Sequence, residues 1–458
     1  MPTGQDGLRR ELRLRDLVFF NVCAVAALRW LATAAHTGPG ALLLWTFAVL
    51  FFFLPSALVV VKLARLFPEE GGMYIWTRKA FGDGHAFLCS WLYFISTILY
   101  IPGLLLAGVT MGAYVFGAQG ASVADQRNYA LSTTLLILWL LVAANLLGLN
   151  VARWILIAGG TSTFLLAAII GVLAVAAGLH GGSATHFALV PRASFDTLNL
   201  WSQFAIALTG LELAPIMSGE LCNARRDIPR AAWFSAAACA LFYIGGTTAL
   251  LVLSTPDAIS PMNGLAQAGA AASARLEHPS ISVFFSGLIS LAVGGQVCTY
   301  LAGNTRLPYA IGLDHYLPDA FARLHPRWHT PWVSLLVQAL AATAFLIMAQ
   351  LGDSMRAAYQ ILVDTMLITT LIPFLYIFGS GLRFAGRAAS LSGLLVTLLA
   401  LVLSIVPPPE AASPAVFELK VIGGTVLFVL AGCLVFRHYR GRHQVALAAS
   451  ARNSSSRQ

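Results

Sequence analysis

The sequence predicts an all-α integral membrane protein of about twelve transmembrane helices, arranged as a five-plus-five inverted repeat with discontinuous helices one and six and two added helices. Three observations carry this prediction: the composition, the placement of basic residues between apolar runs, and matching interruptions in two of those runs. Of 458 residues, 58% are hydrophobic and only 10% are charged, with a mean hydropathy of +0.78. A soluble domain carries about 25% charged residues, and no single soluble core could bury so much apolar surface. The six cysteines, Cys23, Cys89, Cys222, Cys239, Cys298 and Cys433, lie in or beside apolar runs without C-x-x-C spacing. That pattern indicates neither a zinc site nor a disulfide framework, and no cofactor or metal is expected.

Runs long enough to cross a bilayer, about 20 residues each, fall near 17–36, 41–66, 85–116, 130–148, 153–178, 201–222, 231–253, 281–305, 332–350, 357–380, 391–406 and 416–436. An even count places both termini on one side. With that side cytoplasmic, 22 of the 28 Lys and Arg residues fall in inner segments, and the net charge of +9 follows membrane topology rather than nucleic-acid binding. Residues 1–16 read as a cytoplasmic tail, because the apolar stretch after Arg9, Arg10, Arg13 and Arg15 is too long for a cleaved signal. The transmembrane body is 17–436, with repeat one at about 17–178, repeat two at about 201–383 and the added helices at about 391–436. Residues 437–458 form a second cytoplasmic tail, whose polar end after Arg442 is expected to be disordered.

The sixth run, with the residues that follow it (Ile206 to Arg230), reads IALTGLELAPIMSGELCNARRDIPR. Thr209-Gly210, Glu212 and Pro215 weaken a continuous ladder of backbone hydrogen bonds. In lipid such a break survives only where the freed groups face protein, water or a ligand. One reading is a Pro-kinked helix with one buried, paired acid. The other is a discontinuous helix whose backbone ends hold a solute near mid-membrane. The first run has small residues at the corresponding place, Cys23, Ala24, Val25, Ala26 and Ala27, followed by Arg29. Two interrupted spans five helices apart are the sequence pointer to inverted repeats.

These residues resemble the amino acid–polyamine–organocation transporter superfamily. The sixth run, with G-L-E and then E-L-C-N-A-R-R-D-I-P-R, is similar to that superfamily's G-V-E…N-P-x-R-D-x-P pattern. FPEEGGMYIWTRKAFGDGHAF resembles its first cytoplasmic loop, and TRLPYAIGLDHYLPDAFARLHPRWHTPWVS resembles the segment after its eighth helix. The second and third spans look most like the glutamate/4-aminobutyrate antiporter branch. The resemblance implies a carrier moving an amino acid or related amine or carboxylate by alternating access, as antiporter or proton symporter. It implies a substrate contact for Ile206, where one branch has an aromatic lid, and for Thr209, and a gating or proton-coupling role for Glu212. One departure matters: where many members have an unwound Gly-Ser-Gly whose amides hold the substrate carboxylate, this chain has Ala24-Val25-Ala26.

The charged and polar residues inside the spans admit two roles each. Arg29 is either a structural partner of Glu212 or a cationic site for a substrate carboxylate. Asp364 is read as a gating or proton-coupling acid, with a local structural partnership as the alternative. Glu220, near the inner end, reads as a partner of Arg225 or Arg226. Tyr100, before Pro102, either lines the cavity or packs between helices. Gln296, Tyr300 and Asn304 form a stripe that borders the path or ties helices together. Thr161, Ser162 and Thr163 stand where some members place a lysine. There is no P-loop, G-x-G-x-x-G after a strand, H-E-x-x-H or G-x-S-x-G, which argues against an ATP-driven pump or an enzyme. The partners expected are an amino-acid-like solute, the cell membrane bilayer, protons as a candidate coupling ion and a homodimer as a candidate assembly, with no nucleic acid. A non-transporting sensor on the same fold and a major-facilitator carrier are the rivals.

Overall fold

The computed structural model describes residues 8–187, 203–260, 263–275, 278–350, 353–406 and 414–455. Among them there is no strand, only one isolated parallel bridge between Leu12 and Leu221. Among the described residues, ten helices are long and apolar enough to cross a membrane. The remaining two expected spans differ for physical reasons. The 201–222 run is fractured into short pieces, and Trp332–Met348 is a shorter apolar helix. The chain is therefore a multi-pass membrane protein.

Both the inside and the outside of the bundle are apolar. Trp45, Trp76, Phe52 and Phe374 are fully buried, while Leu179, Leu241, Leu395 and Leu434 point outward. A water-soluble bundle would show a polar outer face; here that face suits lipid. Between the fifth span, Leu149–Gly181, and the eighth, Pro279–Asn304, packing depends on small residues. A Cβ on Gly159 would come within 2.6 Å of Gly295 Cα, so the two backbones touch as small-residue membrane interfaces allow. Thr163 donates to Gly159 O in its own helix at 3.0 Å, the usual use of a hydroxyl in a membrane helix.

Trp45, in Gly40–Leu66, lies between two rings. It stacks on Phe204 and on Tyr243, each with centroids 4.3 Å apart. Its indole N–H donates to Thr247 Oγ1 at 3.1 Å, which satisfies its buried polar edge. This three-ring stack joins the second, sixth and seventh segments and fixes where Tyr243 points. The last helix runs Pro414–Ser455, past the end of the apolar stretch at 436. The tail expected to be disordered is thus helical through Ser455, as its Ala-rich VALAASA sequence favours.

Candidate functional site

The first span is broken. Its first half, Leu14–Val25, stops before Ala26 (φ −79°, ψ 77°) and Ala27 (φ −87°, ψ 117°), and the helix restarts at Leu28–His36. No glycine is needed, because both alanines occupy ordinary non-helical regions open to any residue. What holds the break is a tyrosine. Tyr243 Oη lies 2.6 Å from Val25 O and 3.0 Å from Ala207 O, and accepts the Ala27 N–H at 3.1 Å. Its single proton serves one carbonyl at a time. Tyr300 donates to Ala24 O at 3.0 Å. The backbone groups freed by unwinding are thereby satisfied from the seventh and eighth spans.

The sixth segment is broken more extensively. Helix over the described residues 203–207 gives way to non-helical backbone at 208–212, then to Leu213–Ile216 and a tight turn at Ser218–Glu220. Gly210 has φ +131°, and a Cβ there would lie 2.9 Å from the Ala24 carbonyl carbon. Glycine is required twice over, by conformation and by the close approach of the two breaks. Tyr243 touches both breaks and Gly210 lets them meet, so the two irregular segments form one site.

A cavity of about 30 Å³ lies between them. Of the residues singled out in the sequence, Ala24, Val25, Ala27, Tyr100, Ile206 and Thr209 line it, together with Gln296 and Tyr300 of the eighth-span stripe. Trp30, Tyr93, Thr97, Met366 and Thr370 complete much of the wall. Cys23 instead turns to the fifth span, its thiol donating to Leu156 O at 3.4 Å. Ala26 is buried outside the lining, and Gly210 supports it from behind. The Tyr100 ring meets Tyr300 edge-on at 5.2 Å. Asn304 leaves the stripe's common role, donating to Phe94 O at 3.3 Å. The Asp364 side chain lies outside the described residues.

Glu212 is not paired with Arg29. Its carboxylate accepts the Tyr93 hydroxyl at 2.7 Å and the Gly210 N–H at 2.9 Å. With an oxygen committed to each donor, the acid is held without a cation. The Arg29 guanidinium sits 4.3 Å over the Trp30 ring, a cation–π contact, and forms no ion pair among the described residues. Arg29 is therefore one side chain removed from the cavity, behind Trp30.

The end of the bundle that carries the N-terminus is tightly closed. Glu220 pairs with Arg306, not with Arg225 or Arg226. Arg306 Nη2 and Nε donate to its two oxygens at 2.8 and 2.9 Å, and the side chains are only 3% and 4% exposed. Burial favours this partner, because Arg225 and Arg226 lie on the exposed start of Ala224–Leu253. Residues 8–12 lie across the same place. The Glu11 and Leu12 N–H groups donate to Glu220 O at 3.0 and 3.1 Å, and Cys222 N–H donates to Leu12 O at 3.0 Å. Leu8 and Leu12 are buried there. Glu70 accepts the Gly219 N–H, and Gly71 N–H donates to Ile216 O at 3.1 Å. Beside these contacts Tyr74 donates to Asp314 at 2.6 Å, while Arg78 bridges Asp314 at 2.7 Å and Asp83 at 2.9 Å. Burial, then the Asp314 charge, push the Tyr74 phenol well above its ordinary value. Burial works to lower the Arg78 value, but Asp314, Tyr74 and Asp83 together raise it. Both groups thus keep their protons at neutral pH, which preserves the cluster.

Sequence reasoning missed Tyr243, Tyr93 and Arg306 in these roles. Only Tyr243 left a local trace, a hydroxyl in mid-span followed by Gly245-Gly246.

The model of a family described as "Amino acid permease" matches residues 12–427. An uncharacterized transporter of Legionella pneumophila is 27% identical over 446 residues, covering 92% of this chain and 95% of that protein. A probable agmatine/putrescine antiporter of Lactococcus lactis is 20% identical, covering 94% of this chain and 95% of that one. An uncharacterized transporter of Mycobacterium tuberculosis is 25% identical, covering 74% of this chain and 75% of its own length.

Proposed function

Because the chain belongs to the amino acid permease family, we propose that its two helix breaks hold an amino acid or related amine between them and release it alternately to each side. The protein is a secondary transporter and not an enzyme, as the family and the transporters it resembles indicate. The observation that carries the site assignment is the meeting of the two breaks at Ala24 and Gly210, beside a cavity. Half-helix ends present aligned peptide dipoles: N–H groups suit a carboxylate and carbonyls suit an ammonium. The carbonyls of Ala24, Val25 and Ala207 face tyrosine hydroxyls that an ammonium can displace.

A cavity of about 30 Å³ has room for about two waters, too few to match an amino acid. We read this conformation as closed around the site, with the Glu220–Arg306 pair and residues 8–12 shutting the N-terminal end. The distribution of Lys and Arg favours a cytoplasmic N-terminus in a cell membrane, and the paired breaks favour twelve spans with the inverted repeat. Glu212, joined to the cavity wall through Tyr93, is the candidate for proton coupling, and Asp364 is a second candidate acid. Arg29, unpaired behind Trp30, favours solutes that carry a carboxylate. The test is counterflow: purified protein in liposomes preloaded with an unlabelled amino acid should accumulate the labelled one. Arg29→Ala should reduce that uptake about tenfold, in keeping with a unit charge acting across one intervening side chain. No accumulation across a full amino acid and polyamine panel would contradict the reading.

A further inference from the structure

Gln296 is the one carboxamide among the described residues of the cavity wall. Its side chain is 3% exposed, and its Nε2 has no hydrogen-bond partner. A buried amide left unpaired is costly, and native proteins keep few of them. Tyr300 follows one turn later on the same helix, and its hydroxyl is taken by Ala24 O.

The hydroxyls around Gln296 are committed in one direction. Ser96 and Thr97 both donate to Tyr93 O, at 2.9 and 3.0 Å. Thr370 donates to Met366 O at 2.8 Å, and Thr209 donates to Ile206 O at 2.7 Å. With their protons turned into their own backbone, these four present only lone pairs to the cavity. Gln296 is then the carboxamide donor of this wall, alongside the Trp30 indole N–H and the Tyr100 hydroxyl, which also line it. Among the described residues lining the cavity none is ionised. Glu212 reaches it only through Tyr93, and Arg29 is turned onto Trp30.

We propose that Gln296 reads the side chain of the solute, and that the solute is a net-neutral amino acid whose side chain ends in a carboxamide or a hydroxyl. Such a group both accepts and donates. Its oxygen takes the Gln296 N–H while its own proton goes to the hydroxyl lone pairs. A second ammonium or a second carboxylate would touch no counter-charge on the wall, since Glu212 and Arg29 stand behind Tyr93 and Trp30 and a single distant cation serves one carboxylate, which disfavours it. An aliphatic side chain would leave the amide unpaired, and sites built around a hydrogen bond reject such analogues. This inference rests on the transport reading above and adds the class of solute.

The experiment is a competition panel in counterflow proteoliposomes: glutamine, asparagine, serine, threonine, leucine, glutamate, arginine and putrescine. Wild-type protein should be competed best by the first four. Gln296→Leu should raise their half-inhibitory concentrations about 10- to 100-fold, as expected for one lost buried hydrogen bond, with leucine unchanged or improved. Best competition by leucine, glutamate, arginine or putrescine overturns the assigned solute class, whatever the variants do. Equal weakening for every competitor in Gln296→Leu, with Gln296→Asn failing to restore the preference, makes Gln296 structural and also overturns it. A wild-type protein that accumulates none of the eight but takes up another amino acid or polyamine overturns the assigned solute class, whereas accumulation of nothing across the full panel overturns the transport reading itself, a distinct result.

Discussion

The Glu220–Arg306 pair makes the sharpest claim about how the N-terminal end stays shut. Glu220→Gln keeps the shape of the side chain and removes its charge. Of the two N–H···O contacts of 2.8 and 2.9 Å, one is lost, because an amide nitrogen cannot accept, and the other loses its charge, in surroundings where both side chains are at most 4% exposed. Hydrogen bonds to charged groups contribute about 1.5–3 kcal/mol net. A loss of about 2 kcal/mol shifts the open population about 30-fold. The backbone next to the pair reports that shift, because the Glu11 and Leu12 amides are bonded to Glu220 O and the Cys222 amide to Leu12 O. Hydrogen–deuterium exchange followed by mass spectrometry should show segments 8–12 and 218–224 exchanging about 30-fold faster in the variant. Segments around Trp45 and Tyr243 should be unchanged. Less than a twofold change at 8–12 refutes the latch. Acceleration everywhere refutes it differently, by showing that the pair stabilises the whole fold.

Three further outcomes follow from the same geometry. Tyr243→Phe keeps the stack on Trp45 but removes the hydroxyl shared by the two breaks, at a cost of about 1–3 kcal/mol. Solute affinity should change at least fivefold while the thermal unfolding midpoint in detergent moves little; identical affinity removes Tyr243 from the site. Gly210→Ala adds a Cβ 2.9 Å from the Ala24 carbonyl carbon at φ +131°, and its uptake should fall to background even where the protein still reaches the membrane. Glu212→Gln retains an acceptor for Tyr93 but cannot titrate. If Glu212 couples protons, solute exchange persists while acceleration of uptake by an inward proton gradient disappears, and a surviving gradient response assigns coupling to another group.

Composition alone made the membrane class legible, and Gly210, Glu212 and Pro215 marked the sixth-segment break because each disfavours a continuous helix. The first break was harder to see. Ala24, Ala26 and Ala27 are good helix formers, and what unwinds the stretch lies more than 200 residues away in Tyr243. The partners of the acids were illegible for the same reason. Glu212 met Tyr93 rather than Arg29, and Glu220 met Arg306 rather than its sequence neighbours. Hydropathy locates the helices but not their rotation, and rotation decides which side chains converge. The helical tail shows the opposite error. Its polar end suggested disorder, while the local propensity of its alanines carried the helix on to Ser455.

The central claim is that one small solute sits where the two broken segments touch. A cryo-electron microscopy map of the protein with its best counterflow substrate tests this directly. The account predicts density contacting the backbone of 24–27 and of 206–210, with the Tyr243 or Tyr300 hydroxyl displaced from its carbonyl. Solute density elsewhere, with both tyrosine bonds intact and the cavity empty, would contradict it.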